Sequence, residues 1–253
     1  MKRRSIYLII GLVILAIIAT ALYYEIVGIS KKSQKTSTIS TIYHGDVLVI
    51  LYPYFRWEEY YEVFKILSEN GYHIDVLCMK NGSRIVGIDT RGGLHYVNCK
   101  FNVGSVDLFK IVRNHNATVF IGGPGLYCIL DIYASKIGLV KLDYGCLKML
   151  GKYANFALKY LNYGVKVAKI AYSSGKIVAA ICVAPTILAI AGLLHNRPFT
   201  LYRCDVTLRL VKYYNSTNVL DRPVVISGRV ITGRGPSAAK DFAESILKVL
   251  TSR

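Results

Sequence analysis

The run from Gly175 to Gly192 is the feature that most restricts how this chain can fold. Residues 176–181 are almost entirely apolar and are followed at once by a turn, which is typical of a short strand buried on both faces. Pro185 then marks the first turn of a helix, where its missing N–H costs nothing. Because a buried strand that leads directly into a helix is the unit of a parallel sheet, the run predicts an α/β fold.

Cys182 lies in the turn between this strand and this helix. The turn presents its thiol at a helix N-terminus, where unpaired N–H groups and the positive end of the helix dipole favour a thiolate. We therefore predict a lowered pKa for Cys182 and a role as nucleophile.

Strand-like and helix-like segments alternate along the rest of the domain. The predicted strands cover residues 46–52, 73–79, 117–121, 176–181, 199–202, 224–227 and 229–232. The predicted helices cover residues 56–70, 106–113 and 237–250, the last with Ser237 as N-cap, with a helix from Pro185 and a long helical region at 126–172. Residues 84–101 predict a small β-excursion around Gly92 and Gly93. The alternation indicates a doubly wound, mostly parallel sheet between helices, with its active edge at the strand C-termini.

The N-terminus predicts a membrane anchor. Residues 5–24 are an uncharged apolar run, long enough to cross a bilayer as one helix. We divide the chain into an anchor or signal at 1–28, a flexible Ser, Thr and Lys-rich tether at 29–43, and the α/β domain at 44–253. The alternative is a cleaved secretion signal, since Ala19-Thr-Ala21 resembles a cleavage site. Both interpretations place the domain outside the cytoplasm.

Sequons and cysteines agree with an extracytoplasmic domain. Three Asn-x-Ser/Thr sequons start at Asn81, Asn116 and Asn215. Cys78 and Cys99 flank the β-excursion and Cys128 and Cys146 flank one insertion, so either pair could form a disulfide. Ordinary buried thiols are the alternative.

The formal charge of +17 suggests a nucleic-acid partner at first sight. The Lys and Arg residues are spread through the chain, however, and form no sustained run beyond the flanks of the apolar segment. A generally basic, solvated surface is the better interpretation, and we predict no nucleic-acid partner. The sequence also contains no phosphate-binding loop and no cluster with metal-ligand spacing, so we predict no cofactor.

Three blocks of sequence carry a family resemblance. Residues 175–185, which contain Cys182 and continue to 191–194, are similar to the nucleophile elbow of the ThiJ/PfpI superfamily. Residues 121–125, Ile-Gly-Gly-Pro-Gly, resemble its glycine turn, and residues 231–237 resemble its closing turn. The resemblance covers about residues 46–251. It implies a glutamine-amidotransferase-like, flavodoxin-like fold and a homo-oligomer, a dimer or larger.

The resemblance also implies partners for Cys182. The family places a carboxyl group beside the thiol, and counting back from Gly71 identifies Glu59 as that residue. A protonated Glu59 would donate to the thiolate; the alternative is a solvent-facing helix residue, because acids are common in this segment. Gly123 and the amide of Val183 would supply the oxyanion-hole N–H groups.

The chain departs from the family pattern where a histidine is expected. Protease-like members carry a histidine directly after the cysteine, where this chain has Val183. Deglycase-like members often carry one on the next strand, and the alignment places Tyr202 there. A tyrosine hydroxyl can hydrogen-bond a thiolate, so Tyr202 is a candidate neighbour of the sulfur, but with a pKa of about 10 it is a poor base.

These features favour a Cys182-dependent enzyme acting on small reactive carbonyl or acyl substrates, of the glyoxalase, deglycase or amidohydrolase kind. The first alternative is a PfpI-like cysteine peptidase, which the missing histidine disfavours. The second is a non-catalytic redox-sensing or structural domain of the cell envelope.

Overall fold

Residues 43–252 are described in a computed structural model of the chain, and they contain one central sheet, a second small sheet and surrounding helices. The strands are β1 Gly45–Leu51, β2 Phe55–Arg56, β3 Tyr72–Cys78, β4 Arg84–Ile88, β5 Leu94–Asn98, β6 Phe101–Asn102, β7 Ala117–Phe120, β8 Ile177–Ile181, β9 Val224–Ser227 and β10 Val230–Gly233. The helices are α1 Trp57–Glu69, α2 Leu108–Arg113, α3 Pro124–Lys136, α4 Tyr144–Leu150, α5 Ala157–Ser173, α6 Pro185–Ile190, α7 Asp205–Tyr213 and α8 Ala239–Thr251. Short 3-10 turns lie at Gly151–Phe156 and Pro236–Ala238.

The central sheet has seven strands in the order β6-β3-β1-β7-β8-β10-β9. All neighbours run parallel except β9, which pairs antiparallel with β10 at one edge. Across the sheet, the five strands β3, β1, β7, β8 and β10 are therefore the second, first, third, fourth and fifth of this set in chain order. This is the flavodoxin-like order, in which ligands bind at the carboxyl ends where the strand order reverses. The predicted α/β sheet is confirmed.

The core lies on both faces of this sheet. Every residue of β7 and β8 is buried, as the near-continuous apolar runs predict. Helices α1 and α8 pack against each other, while α2 and α3 pack against α5 in a second group. The strands lie between the two groups, so their side chains are removed from water on both sides.

The predicted β-excursion at 84–101 forms a hairpin, β4 and β5, that joins β2 in a three-stranded sheet. Gly87 lets this sheet close, because a Cβ there would lie 2.5 Å from the Phe55 ring. The hairpin is thereby held directly beside the segment that follows β1, at the carboxyl edge of the central sheet.

Both predicted disulfides are present. Cys78 and Cys99 join the end of β3 to the end of the hairpin, with Cα atoms 5.7 Å apart. Cys128 and Cys146 join α3 to α4, with Cα atoms 4.8 Å apart. Among the cysteines, Cys182 and Cys204 remain free thiols.

Two predicted elements differ in the structure. Residues 199–202 are no strand, and Phe199 forms an isolated bridge with Val219 instead. The reason lies at Thr200, whose N–H donates to the side chain of Thr232 rather than to a neighbouring backbone. The last helix begins at Ala239 after a 3-10 turn, so Ser237 is not its N-cap.

The long helical region at 126–172 is divided into α3, α4 and α5. Gly138, with φ of 77°, and Gly151, with φ of 50°, stand where the chain leaves α3 and α4. Both adopt left-handed backbone, which is incompatible with a continuing α-helix.

The predicted transmembrane helix is the part of the fold prediction that must be corrected. No helix within residues 43–252 is both long and apolar enough to cross a membrane. The longest of them, α5, has 17 residues and carries three lysines. The predicted anchor and the tether up to residue 42 lie outside the described residues. Residues 43–252 therefore form an α/β domain in which no helix could span a membrane.

Candidate active site

Three loops meet at the carboxyl edge of the central sheet. They follow β1, β7 and β8, which are adjacent strands. The loop after β1 leads into β2 and α1, the loop after β7 is the glycine turn, and the loop after β8 contains Cys182. The backbone N–H of Arg56 donates to the carbonyl of Gly122 at 3.0 Å and so fastens the first loop to the second.

Cys182 has the backbone of a nucleophile elbow. Its φ is 65°, a left-handed conformation that non-glycine residues rarely adopt. Hydrogen bonds hold it on both sides: its N–H donates to the carbonyl of Gly233 at 2.9 Å, and its carbonyl accepts from the N–H of Tyr202 at 2.8 Å. Only 7% of the residue is exposed. The thiol is consequently fixed in direction and largely shielded from solvent.

Glu59 projects from the first turn of α1 and is fully buried. Its Oε2 accepts a hydrogen bond from the N–H of Gly122 at 3.1 Å, and its carboxyl interacts directly with the Cys182 thiol. Burial raises the pKa of Glu59 to about 8, against the lowering effects of these hydrogen bonds and of the Arg56 charge. The predicted carboxyl partner therefore lies at the thiol and exchanges its proton near neutral pH.

Gly122 is a site residue that the sequence analysis did not identify. A Cβ at this position would lie 2.5 Å from Cβ of Cys182 and 3.1 Å from Oε2 of Glu59. Glycine is thus required for the acid and the thiol to meet. Two consecutive glycines at the end of a buried strand were the available signal, but only Gly123 was assigned a role.

Two backbone amides face the sulfur. The N–H groups of Gly123 and Val183 act on the Cys182 thiol as hydrogen-bond donors that lower its pKa. Gly123 has φ of 128°, and a Cβ there would lie 2.4 Å from the backbone nitrogen of Arg56, so its geometry too depends on glycine. The four predicted residues, Cys182, Glu59, Gly123 and Val183, are thus adjacent; their catalytic roles stay predictions.

The predicted lowering of the Cys182 pKa is wrong. Burial raises this pKa well above the ordinary thiol value, and negative charge on Glu59 raises it further, while the two amides oppose the rise. Helix α6, whose N-terminus was expected to stabilise a thiolate, has only six residues. Desolvation therefore outweighs the helix, and the resting form is the thiol.

Tyr202 lies beside Cys182 through its backbone N–H, while half of the residue is exposed. No hydrogen bond joins its hydroxyl to the sulfur among residues 43–252, so a role for that hydroxyl stays a prediction. None of the five histidines hydrogen-bonds Cys182 or Glu59 either. Their rings contact other groups instead. The His44 ring lies near the Tyr72 ring, and His195 lies beside the carbonyl of Asn215. The remaining three histidines contact aspartates, in the pairs His73–Asp46, His95–Asp89 and His115–Asp75.

Within the described residues, no three or more His, Cys, Asp and Glu side chains are grouped so that they could hold a metal ion. The groups that meet at this edge of the sheet are a thiol, a carboxyl with a raised pKa and two amide donors. Such a set can add a sulfur nucleophile to a carbonyl, carry one proton and stabilise an oxyanion.

Comparisons with known proteins agree with this fold. Residues 140–249, which include Cys182, match the DJ-1/PfpI family. An uncharacterized protein of Methanocaldococcus jannaschii is 27% identical over 82% of this chain and 83% of its own length. The crystal structure of a ThiJ/PfpI domain protein from Brachyspira murdochii matches with a TM-score of 0.58 and 26% identity, over 82% of this chain and 97% of that chain.

One relative has a named activity. A glutathione-independent glyoxalase of Caenorhabditis elegans is 38% identical to this chain. The match covers 30% of this chain and 39% of that enzyme, so the chain spans well under half of its length.

Proposed function

Because this chain belongs to the ThiJ/PfpI superfamily, we propose that it is a Cys182-dependent enzyme that acts on small reactive carbonyl compounds, as glyoxalases and deglycases do. The observation that carries the proposal is the contact between a buried thiol and a buried carboxyl whose pKa is about 8, beside two amide donors. The similarity to a glyoxalase supports the same class of substrate.

The first step is addition of sulfur to an aldehyde carbon. As the Cys182 sulfur attacks, the Glu59 carboxylate accepts the thiol proton, and the carbonyl electron pair moves to oxygen. The amides of Gly123 and Val183 stabilise the oxyanion, and Glu59 then returns the proton to it. The product is a hemithioacetal, with one S–C bond formed, one C=O double bond reduced to single, and one proton moved.

For a 2-oxoaldehyde, Glu59 is also placed to move a second proton. Removal of the proton on the former aldehyde carbon gives an enediol, and reprotonation at the neighbouring carbon gives a thioester. Water cleaves the thioester and releases a 2-hydroxy acid and the free thiol. The first carbon is oxidised and the second reduced, so the sequence requires no external oxidant or reductant.

Access to Cys182 favours a small substrate over a peptide. Only 7% of the residue is exposed, so a compact carbonyl compound can approach it with less rearrangement than a polypeptide chain. Peptide hydrolysis would also need an acid for the leaving amine, a role that histidine often takes.

Turnover of methylglyoxal tests the proposal. We expect the wild type to form lactate, Cys182→Ala to be inactive, and Cys204→Ser to keep wild-type activity. Cys204 is the matched control because it is the other free thiol among the described cysteines. Equal rates in the wild type and Cys182→Ala would refute the proposal.

We propose that the domain works in an oxidising, extracytoplasmic compartment. The support is the pair of disulfides, Cys78–Cys99 and Cys128–Cys146, since disulfides persist mainly outside the cytoplasm. Fractionation of the native cells would test this, with recovery of the folded domain in the cytoplasmic fraction as the contrary result.

We also propose a homo-oligomer, as members of this superfamily commonly form. Light scattering after size-exclusion chromatography would measure the assembled mass. A mass equal to one chain at micromolar concentration would refute the oligomer.

A further inference from the structure

A cavity of about 590 Å³ lies at the carboxyl ends of β3 and β6. Its walls are the loop after β3, the turn after β6 and the first turns of α5, and no residue of the Cys182 site lines it. We propose that this cavity binds an acidic sugar, a pyranose ring that carries a carboxylate. The volume suits a ligand of one or two rings, within the range of ordinary small-molecule sites.

Lysine ammonium groups surround the cavity without carboxylate partners. Nζ of Lys152 lies 5.8 Å from the centre of the Tyr153 ring, and Nζ of Lys159 lies 5.9 Å from the centre of the Tyr163 ring. Neither lysine forms an ion pair with an acid among residues 43–252. Nζ of Lys80 approaches the Tyr153 ring as well, at 5.7 Å, but it donates to the carbonyl of Arg84 at 2.7 Å, and Lys80 does not line the cavity. Lys152 and Lys159 lie near ring faces, and an anion entering the cavity would give them a stronger partner.

Aromatic faces line the same space. Phe156 is 47% exposed, although a ring of this size is usually buried, and Tyr153 and Tyr163 are partly exposed beside it. Aromatic walls with a few polar groups are typical of sites that hold rings of small ligands. The C–H face of a pyranose offers such walls an apolar surface, while its hydroxyls need hydrogen bonds.

Polar side chains at the rim can supply those hydrogen bonds. Asn81 contributes an amide, and Ser105 contributes a hydroxyl. Charge, ring faces and hydrogen-bonding groups thus converge on one space, which is the combination that a sugar carboxylate requires and a bare anion does not.

The walls are held in place before any ligand arrives. The Cys78–Cys99 disulfide fixes the end of β3 against the hairpin. The Asn102 amide, oriented to donate to the carbonyls of Gly82 at 2.6 Å and Lys80 at 3.0 Å, joins the turn after β6 to the loop after β3. Such preorganisation reduces the entropy that binding must overcome.

Binding titrations with three probes test the proposal. They are carried out at low salt and monitored by NMR or calorimetry. The probes are glucuronate, which has ring and carboxylate, glucose, which has the ring alone, and acetate, which has the carboxylate alone. We expect glucuronate to bind tightest. In the double variant Lys152→Gln with Lys159→Gln, its affinity should fall at least about tenfold, as expected for loss of two charge-assisted contacts, while that of glucose should not change.

The matched control is the double variant Lys65→Gln with Lys248→Gln, which removes the same charge from exposed positions that do not line the cavity. It should bind glucuronate as the wild type does. A second variant, Phe156→Ala, should weaken glucuronate and glucose and leave acetate unchanged, and Tm measurements would verify that each variant is folded. Glucuronate binding no tighter than acetate binding, or undiminished in the lysine variant, would overturn the proposal.

Discussion

Glu59 and Asp75 are two buried carboxyls of the same α/β domain, and they differ in whether a cation contacts them. Asp75, in β3, is 4% exposed and accepts hydrogen bonds from Nζ of Lys100 at 2.7 and 2.8 Å and from Nε2 of His115 at 3.1 Å. Glu59 is fully buried and has an amide and a thiol as its partners. Asp75 has the Lys100 ammonium in contact, whereas Glu59 has no cation in contact within residues 43–252.

His115 is a second partner of Asp75, and it too is buried. Its Nδ1 lies 2.7 Å from the carbonyl of Ile111, and its Nε2 lies 3.1 Å from Asp75. Asp75 therefore lies in a polar cluster with Lys100 and His115.

The comparison shows that burial alone does not decide what a carboxyl does. With cationic partners in contact, a buried carboxyl is held in an ion pair whose loss destabilises the fold. Without them, desolvation raises the pKa into the range where the group can take up and release protons at neutral pH. Four predictions follow the contrast from its largest expected effect to its smallest.

Replacing Glu59 by Gln should lower kcat/KM for methylglyoxal by about 100- to 10,000-fold, because Gln cannot carry the proton. Steady-state kinetics at pH 8 would measure this. Glu69→Gln, an exposed residue of the same helix, is the control and should keep wild-type rates. Activity within a few-fold of wild type in Glu59→Gln would assign proton transfer to another group.

Replacing Asp75 by Asn should reduce the free energy of unfolding by about 3–5 kcal/mol, since Asp75 is the buried charged partner of Lys100 and also contacts buried His115. Urea unfolding would measure the loss, and activity per folded molecule should not change. Asp205→Asn, which removes an exposed carboxylate paired with Arg209, should cost far less. Similar losses in the two variants would mean that burial does not distinguish them.

The rate should depend on pH through Glu59. Its pKa of about 8 lies above ordinary carboxyl values, so below pH 8 the group is mostly protonated and cannot accept the thiol proton. We expect kcat/KM to fall about tenfold per pH unit below 8 and to level off above it. A profile that is already flat at pH 6 would indicate a preformed thiolate instead.

Replacing Lys100 by Gln should cost only about 1 kcal/mol of unfolding free energy, because its ammonium is half exposed and water partly replaces the lost contact. His115 would remain as a hydrogen-bonding partner of Asp75. Urea unfolding beside Asp75→Asn would compare the two losses directly. A loss as large as that of Asp75→Asn would mean that Lys100 alone sustains the cluster.

The parts that local sequence determines were predictable. The apolar run at 176–181 specified a buried strand, and the turn at Cys182 with its following Pro185 specified an elbow. The resemblance supplied Glu59, and the structure brings it to the thiol. These predictions succeeded because each depends on neighbours along the chain or on one aligned position.

Properties that depend on three-dimensional surroundings were not predictable. The direction of the Cys182 pKa shift depends on how much water reaches the sulfur, which no run of residues specifies. The absent strand at 199–202 depended on Thr232, thirty residues away, which takes the N–H of Thr200. The role of Gly122 became visible once Cβ of Cys182 and Oε2 of Glu59 lay on either side of it.

The left-handed backbone of Cys182 also means that stability and chemistry favour different residues at this position. An L side chain at φ of 65° costs roughly 1 kcal/mol that glycine would avoid. Drift toward stability at this position therefore leads away from the thiol, and only selection for its chemistry opposes that drift. A descendant with glycine here would be free of this backbone strain and would have lost the nucleophile. The residue at this one position therefore indicates whether a lineage still uses the site.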